Sequence, residues 1–255
     1  MSLLERWKNL AEDWSAWARD PGHDFYFWHF NLPSLLRMVP PGASRALDLG
    51  CGEGRVGRHL LRTGVDVVGL DISPYLVRKA MDGSPPLRTI LADGTDLPFR
   101  DSTFDLVVAS MSLQDITDAP RAIAEASRVL EPGGTLCLSV IHPLSSWQAI
   151  SAGQDSDHIS YFEERDYDER VYIDDRSIHL YSAHRTVSSY FVMLTEAGLV
   201  CDYLAEPRPS ADMVEQFPGL ADMRRHPRFL HIRGRKTSLS TDHVTPRAAE
   251  ATGTG

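Results

Sequence analysis

Ala46-Leu47-Asp48-Leu49-Gly50-Cys51-Gly52-Glu53-Gly54-Arg55, residues 46 to 55, is the stretch from which the fold can be read. An apolar run halts in closely spaced glycines, and apolar residues return at helical spacing through Val56, Leu60 and Leu61. That order predicts a strand, a tight turn and a helix. Glycine suits such a turn because positive φ and a bare backbone let main-chain N–H groups approach a ligand at a helix N-terminus.

Outward from this turn, Val65-Asp66-Val67-Val68-Gly69-Leu70 reads as a second buried strand that ends in Asp71. An acidic side chain about 20 residues past such glycines is placed to accept hydrogen bonds from ribose hydroxyls, so a nucleoside-containing ligand is expected. Gly52-Glu53-Gly54-Arg55-Val56-Gly57 also satisfies the G-x-G-x-x-G of dinucleotide enzymes, which keeps an NAD-dependent oxidoreductase as an alternative. Three features discriminate. Asp48 lies two residues before the first glycine, where it would repel a pyrophosphate but could hold an ammonium group. Asp93-Gly94 ends the short apolar run Ile90-Leu91-Ala92, where a carboxylate can accept from an adenine amino group. Val129-Leu130-Glu131-Pro132-Gly133-Gly134-Thr135-Leu136 closes a helix and turns straight into a strand.

With these residues in place the chain resembles the class I S-adenosylmethionine-dependent methyltransferases, in particular the branch with D-L-G-C-G-x-G, D-x-S, A-D-x-x-x-L-P-F, F-D-x-V and L-x-P-G-G. Those motifs stand here at Asp48 to Gly54, Asp71 to Ser73, Ala92 to Phe99, Phe104 to Val107 and Leu130 to Gly134, in the family's order. The resemblance implies S-adenosylmethionine as cofactor. Gly50, Cys51 and Gly52 would line its amino-acid end, Asp71 with Ile72 its ribose, and Asp93 with Gly94 its adenine. Ser110, at the end of the fourth expected strand, joins the cofactor set.

Strands are expected near residues 45–50, 65–71, 87–91, 104–110 and 134–141, alternating with helices. Right-handed crossovers then place helices on both faces of a parallel sheet, with ligands at the carboxyl ends of its strands. Two further strands, Leu199 to Leu204 and Phe229 to Ile232, follow a helix through Val187, Tyr190, Phe191 and Leu194 that stops at Gly198. By resemblance these close the fold as an antiparallel hairpin. The expected class is therefore α/β: a doubly wound, mostly parallel seven-stranded sheet with an antiparallel last strand, an N-terminal helical cap and an inserted hairpin lid.

The cap is residues 1–40. Leu3, Trp7, Leu10, Trp14 and Trp17 recur at steps of three and four over 3–18, an amphipathic helix, and an aromatic cluster from Asp24 to Phe30 follows. In the family it resembles, a segment before the first strand often closes over the methionine end of the cofactor, which makes Arg19 and Tyr26 candidates there. The cofactor-binding core is 41–142, and 143–186 is an insertion covering the acceptor site. Within it, 151–156 reads as a loop, while 160–173 and 177–185 read as a hairpin. Residues 187–236 complete the core, and 237–255, small and polar without apolar period, is expected to be disordered.

Methyl transfer from a sulfonium is an in-line displacement, so the chain must hold a nucleophile about 3 Å from the methyl carbon. His142, directly after the fifth strand, is the candidate base. Gln114 and Asp115, after the fourth strand, could orient an acceptor, and His184 and Arg185 could reach an anionic substrate group. Arg224, Arg225 and Arg228 read as solvated surface. No Cys/His pairing has metal-ligand spacing.

At 255 residues and 42% apolar composition, the chain can bury a sizeable core, while a formal charge of −9 argues against a nucleic-acid partner. Three cysteines imply no disulfide framework, and no stretch has the length and apolarity to span a membrane. A cytoplasmic enzyme methylating an O or N atom of a small molecule is expected, with a non-catalytic S-adenosylmethionine-binding protein as a further alternative.

Overall fold

A computed structural model describes residues 3–152, 159–173 and 176–237 of the chain. Helix α1 (Leu3–Arg19) buries Ala11, Ser15 and Ala18, and its Trp7 and Trp14 meet edge to face at 5.6 Å. A π-helical turn, Phe27–Asn31, runs into α2 (Leu32–Leu36). The repeating unit then begins: β1 (Arg45–Leu49), α3 (Arg55–Arg62), β2 (Asp66–Asp71), α4 (Pro74–Met81), β3 (Arg88–Leu91), β4 (Phe104–Ser110), α5 (Ala119–Val129) and β5 (Leu130–Ile141). Ser73 caps α4 by accepting from Leu76 N at 3.4 Å, and Asp118 caps α5 by accepting from Arg121 N at 3.1 Å. Both caps precede a proline in the first turn, where its missing N–H costs nothing.

After β5 come α6 (Pro143–Ala152), β6 (Arg165–Ile173), β7 (Arg176–His184), α7 (Val187–Glu196), β8 (Leu199–Ala205), α8 (Ala211–Gln216), a 3-10 turn (Pro218–Arg224) and β9 (Phe229–Lys236). The main sheet has the order β3-β2-β1-β4-β5-β9-β8. Its pairs are parallel except those of β9, which runs antiparallel to β5 and to β8. β6 and β7 form a separate antiparallel hairpin.

Period-two alternation explains the layering. Leu47, Leu49, Val107, Ala109, Leu136 and Leu138 face one apolar cluster, with α5 and α7; Ala46, Leu106, Val108 and Cys137 face the other, with α2 and α3. Both faces of the central strands are dry, as a doubly wound sheet requires. The strand order reverses beside β1, so a crevice opens where β1 and β4 diverge at their carboxyl ends.

Two sequence expectations differ from the structure. The loop expected at 151–156 begins as the last turn of α6, whose buried residues include Ser146 among Pro143 and Ile150, so no apolar period was visible. Its remainder, 153–156, lies outside the described residues, as does the tail expected to be disordered over 237–255, except residue 237. The short α8 and the 3-10 turn after it were not anticipated.

Candidate functional site

The crevice widens into a cavity of about 400 Å³, floored by the glycine turn and by the ends of β2 and β4, roofed by α1 and walled by the β6–β7 hairpin. The turn is built from the backbone. Gly50 N and Cys51 N both donate to Leu70 O, at 2.8 and 2.9 Å, while Gly50 and Gly52 sit at φ of 70° and 55°. A Cβ on Gly52 would come 2.7 Å from the Trp14 ring, so α1 rests directly on the bare main chain.

Asp71 clamps this turn to the next strand. Gly52 N donates to its Oδ2 at 2.8 Å and Ser73 N to its Oδ1 at 2.9 Å, which leaves lone pairs on both oxygens for a ligand in the cavity it lines. Asp48 accepts from Gly57 N at 2.8 Å, and Asp93 Oδ1 accepts from Thr95 N at 2.9 Å and from Thr95 Oγ1 at 2.8 Å. Cys51, Ile72, Gly94, Ser110 and Tyr26 also line the cavity. Ser110 Oγ is buried without a hydrogen-bond partner among the described residues.

On the hairpin side, Gln114 Oε1 accepts from Ile141 N at 2.7 Å, which fixes the amide's orientation and leaves its NH₂ as a donor. Asp115 accepts from Ser182 Oγ at 2.7 Å, and both residues line the cavity.

Burial is the main influence on these acids. It pushes Asp48 up to about 7, against the Gly57 hydrogen bond, and Asp115 up to about 7, against the bond from Ser182. Asp71 is raised to about 6 in spite of its backbone bonds. In the unfolded chain such carboxylates ionise near 4, so the native state binds more protons between about pH 4 and 7, and stability falls as pH rises through that window. His231, which burial lowers to about 4, and His142, also lowered, act in the opposite sense until the unfolded chain's histidines have lost their protons near pH 7.5. Between pH 6.5 and 8 the carboxylates outweigh them, and the ligand-free protein is expected to lose roughly 1 kcal/mol of stability. Urea titrations at the two pH values check this; equal midpoints would contradict it.

The other sequence candidates lie elsewhere. Arg19 does not line the cavity; its exposed side chain pairs with the buried Glu53 from outside. His142 is turned away: Leu144 N donates to its Nδ1 at 3.0 Å, so the ring proton sits on Nε2, 2.8 Å from Glu206 Oε1. His184 is buried between Ser146 Oγ at 2.7 Å and Tyr161 O at 2.8 Å. Arg185 donates to Leu113 O, Ile116 O and Thr117 O, bracing the loop that carries Gln114 and Asp115 rather than reaching a substrate. Arg228, read from sequence as solvated surface, lines the cavity instead, 4.2 Å over the Tyr26 ring and 3.9 Å from Glu169.

Arg55 was missed. Its guanidinium is buried, donates to Asp24 Oδ2 at 2.6 Å and Ala18 O at 2.9 Å, and lies 3.7 Å over the Phe27 ring, locking α1 and the aromatic segment to the glycine turn. The available signal was an arginine in the first turn of a helix, where the dipole disfavours a cation that has no other partner.

Residues 47–138 match the family model described as methyltransferase domain. The chain is 41% identical over 90 residues to mouse arginine-hydroxylase NDUFAF5, mitochondrial, covering 35% of this chain and 26% of that protein. It is 38% identical over 118 residues to an uncharacterized methyltransferase of Synechocystis, covering 46% and 55%. It is 36% identical over 117 residues to the demethylmenaquinone methyltransferase of Renibacterium salmoninarum, covering 46% and 48%. The matched part thus spans between about a quarter and about half of these relatives. Among solved structures, an S-adenosylmethionine-dependent methyltransferase from Mesorhizobium loti superposes with a TM-score of 0.64 at 23% identity, covering 80% of this chain and 96% of that one. One from Methanosarcina mazei gives 0.61 at 21%, covering 80% and 98%.

The residues present fit that family's cofactor. Asp71 has spare acceptors at the nucleoside position, the bare glycine turn has no Cβ to obstruct a close ligand, and Ser110 Oγ lacks a partner of its own. Residues 47–138 are accordingly a methyltransferase domain, set in a fold of the class I S-adenosylmethionine-dependent methyltransferases.

Proposed function

We propose that the protein transfers the methyl group of S-adenosylmethionine to a nitrogen or oxygen atom of a small molecule enclosed in the cavity. The observation that carries this reading is Asp71, whose carboxylate ties the glycine turn to the end of β2 while facing the cavity. In this reading Asp71 accepts from the ribose hydroxyls, Asp93 serves the adenine, and Gly50, Cys51 and Gly52 receive the amino-acid end. Ile72, Gly94, Ser110 and Tyr26 complete that subsite. The bound cofactor supplies an electrophilic methyl group on a cationic sulfur.

The chain's own share is positioning and exclusion of water. Gln114 and Asp115 present a donor and an acceptor at the end of β4, and the hairpin and α1 cover part of the site. That enclosure favours a small acceptor. The three thiols are free, which suits the reducing, cytoplasmic setting expected from the sequence. Among the described residues no helix is long and apolar enough to cross a membrane.

Asp71→Ala is expected to weaken S-adenosylmethionine binding by about 1.5 to 3 kcal/mol, the range for a hydrogen bond to a charged group, and titration calorimetry reads it directly. Undiminished affinity would remove the basis of the assignment. The fluorescence of Trp14, seated on Gly52, separates the alternatives: quenching by NADH and not by S-adenosylmethionine would favour an oxidoreductase. Cofactor binding with no acceptor turned over in a broad screen would favour a non-catalytic binder.

A further inference from the structure

Resting on the methyl-transfer reading, we propose that the acceptor is an amine and that Asp115 receives it, holding the ammonium form and taking the proton whose loss frees the nitrogen lone pair. The loop that carries Asp115 is held from several sides. Asp115 N donates to Ser112 O at 3.0 Å, Ala183 N donates to Gln114 O at 2.8 Å, and Arg185 holds the carbonyls of Leu113 and Ile116 at 3.1 and 2.8 Å. The carboxylate is therefore fixed in position, facing the cavity next to β7 of the hairpin.

Its bonding is sparse for a charge so enclosed. An ionised carboxylate has about four acceptor sites, and the partner given to Asp115 is the neutral hydroxyl of Ser182. Of the cavity's other acids, those on the nucleoside side are tied to main-chain N–H groups, Asp71 to Gly52 and Ser73, Asp48 to Gly57 and Asp93 to Thr95, while Asp24 and Glu169 face guanidiniums. Of its guanidiniums, Arg170 stands on β6 three residues beyond Tyr167, the residue paired with Ser182 in the hairpin, and the other two are engaged. Arg55 is bound to Asp24 at 2.6 Å, and Arg228 stacks on Tyr26 with Glu169 at 3.9 Å. Among the described residues no lysine lines the cavity.

A buried carboxylate whose nearest cation, Arg185, gives its hydrogen bonds to backbone carbonyls keeps acceptor sites open for a cation from the ligand. An ammonium group supplies it; a neutral hydroxyl leaves the charge uncompensated, and an anionic acceptor meets repulsion. Tyr26, Ile141, Leu180 and Phe229 line the remaining wall, apolar enough for an organic body and with an aromatic face for a cation. The groups around Asp115 are Ser182 on β7, Tyr167 on β6, Arg185 after β7, Tyr190 on α7 and Asp71 on β2; the positive member, Arg185, is spent on backbone carbonyls. Burial raises Asp115 to about 7, suited to exchanging a proton near neutral pH.

The step balances. The ammonium N–H proton passes to an Asp115 oxygen. The freed nitrogen pair forms the N–C bond to the methyl carbon as the C–S bond breaks, its electrons staying on sulfur. The methylated ammonium leaves, and Asp115 returns its proton to solvent. The neutral amine need be only a minor species, since methyl transfer drains it.

The test uses the full chain loaded with S-adenosylhomocysteine. Three matched pairs are titrated by calorimetry: 2-phenylethylamine and 2-phenylethanol, cyclohexylmethylamine and cyclohexylmethanol, butylamine and butanol, with 3-phenylpropanoate as the anion. At least one amine is expected to bind tenfold or more tightly than its alcohol, with the anion weakest and label from methyl-labelled S-adenosylmethionine recovered on nitrogen. Asp115→Asn, which preserves shape, is expected to erase that preference while S-adenosylhomocysteine affinity stays. Ser182→Ala, which keeps the carboxylate and removes its hydroxyl donor, is expected to retain the preference and move its pH midpoint upward. The proposal is overturned if no amine binds, if an alcohol or the anion binds as tightly as its amine, or if Asp115→Asn retains the preference. Failure of S-adenosylhomocysteine to bind the unaltered chain would instead bring down the methyl-transfer reading beneath it.

Discussion

Arg55→Ala is expected to lower the free energy of unfolding by about 3 to 5 kcal/mol, the cost of breaking a buried pair by removing one partner. The Arg55 and Asp24 side chains keep 8% and 12% of their exposure, and burial already raises Asp24 even with the guanidinium 2.6 Å away. Without it, Asp24 must either carry an uncompensated charge or take up a proton. Ala18 O at the end of α1 also loses one of its two donors, keeping Trp28 Nε1, and the Phe27 ring loses the cation stacked on it. Urea titration of the two chains gives the difference. Arg55→Met together with Asp24→Leu, which removes both charges and keeps volume, should recover most of it, since a buried pair is often no better than well-packed apolar residues. A loss below about 1 kcal/mol for Arg55→Ala, the range of an exposed pair, would mean that this one does not hold the roof to the turn.

Gly50→Ala comes next in size. Gly50 has φ of 70°, and its added Cβ would stand 2.4 Å from Ser112 Cβ, a side chain that cannot swing aside without giving up its 2.7 Å bond to Leu49 O. The left-handed conformation costs an L-residue about 1 to 2 kcal/mol and overpacking about 1 to 3, so a loss of about 2 to 5 kcal/mol is expected. Gly133→Ala is the control. Its φ of 84° carries the same conformational penalty, but nothing lies within 4 Å of the added carbon. Melting curves should rank Gly50→Ala well below Gly133→Ala, and equal losses would mean that the contact with Ser112 relaxes freely.

The sheet was legible because its signals are local. β1 and β2 are apolar runs stopped by a glycine and by an acid, β3 ends just before Asp93, and the glycine turn with Asp71 marks the carboxyl edge where the cavity opens. Most residues proposed for the cofactor line the cavity for the same reason, standing at strand ends between residues 48 and 110. Of the residues expected beside the acceptor, Gln114 and Asp115 line the cavity, and His142, His184 and Arg185 do not. His142 occupies the right edge of the sheet, but Leu144 N and Glu206 hold its ring facing away from the cavity, and Glu206 is 64 residues distant in sequence. Arg185 looked like an anion hook and is a brace, because the carbonyls it satisfies belong to a loop some 70 residues earlier. Arg228 and Arg55 were overlooked because their partners, Tyr26 with Glu169 and Asp24 with Phe27, come from segments with no regular spacing to announce them.

The placement of β9 between β5 and β8 bears on how the protein emerges during translation. Every group assigned to the nucleoside has been synthesised once Ser110 has been added, whereas Arg228 and Phe229, which close the far wall, lie at the threshold of the last described strand. A nascent chain halted anywhere between β5 and that point already carries its handle for the cofactor and has no chamber to use it in, while the flank of β5 that β9 will cover stays bare.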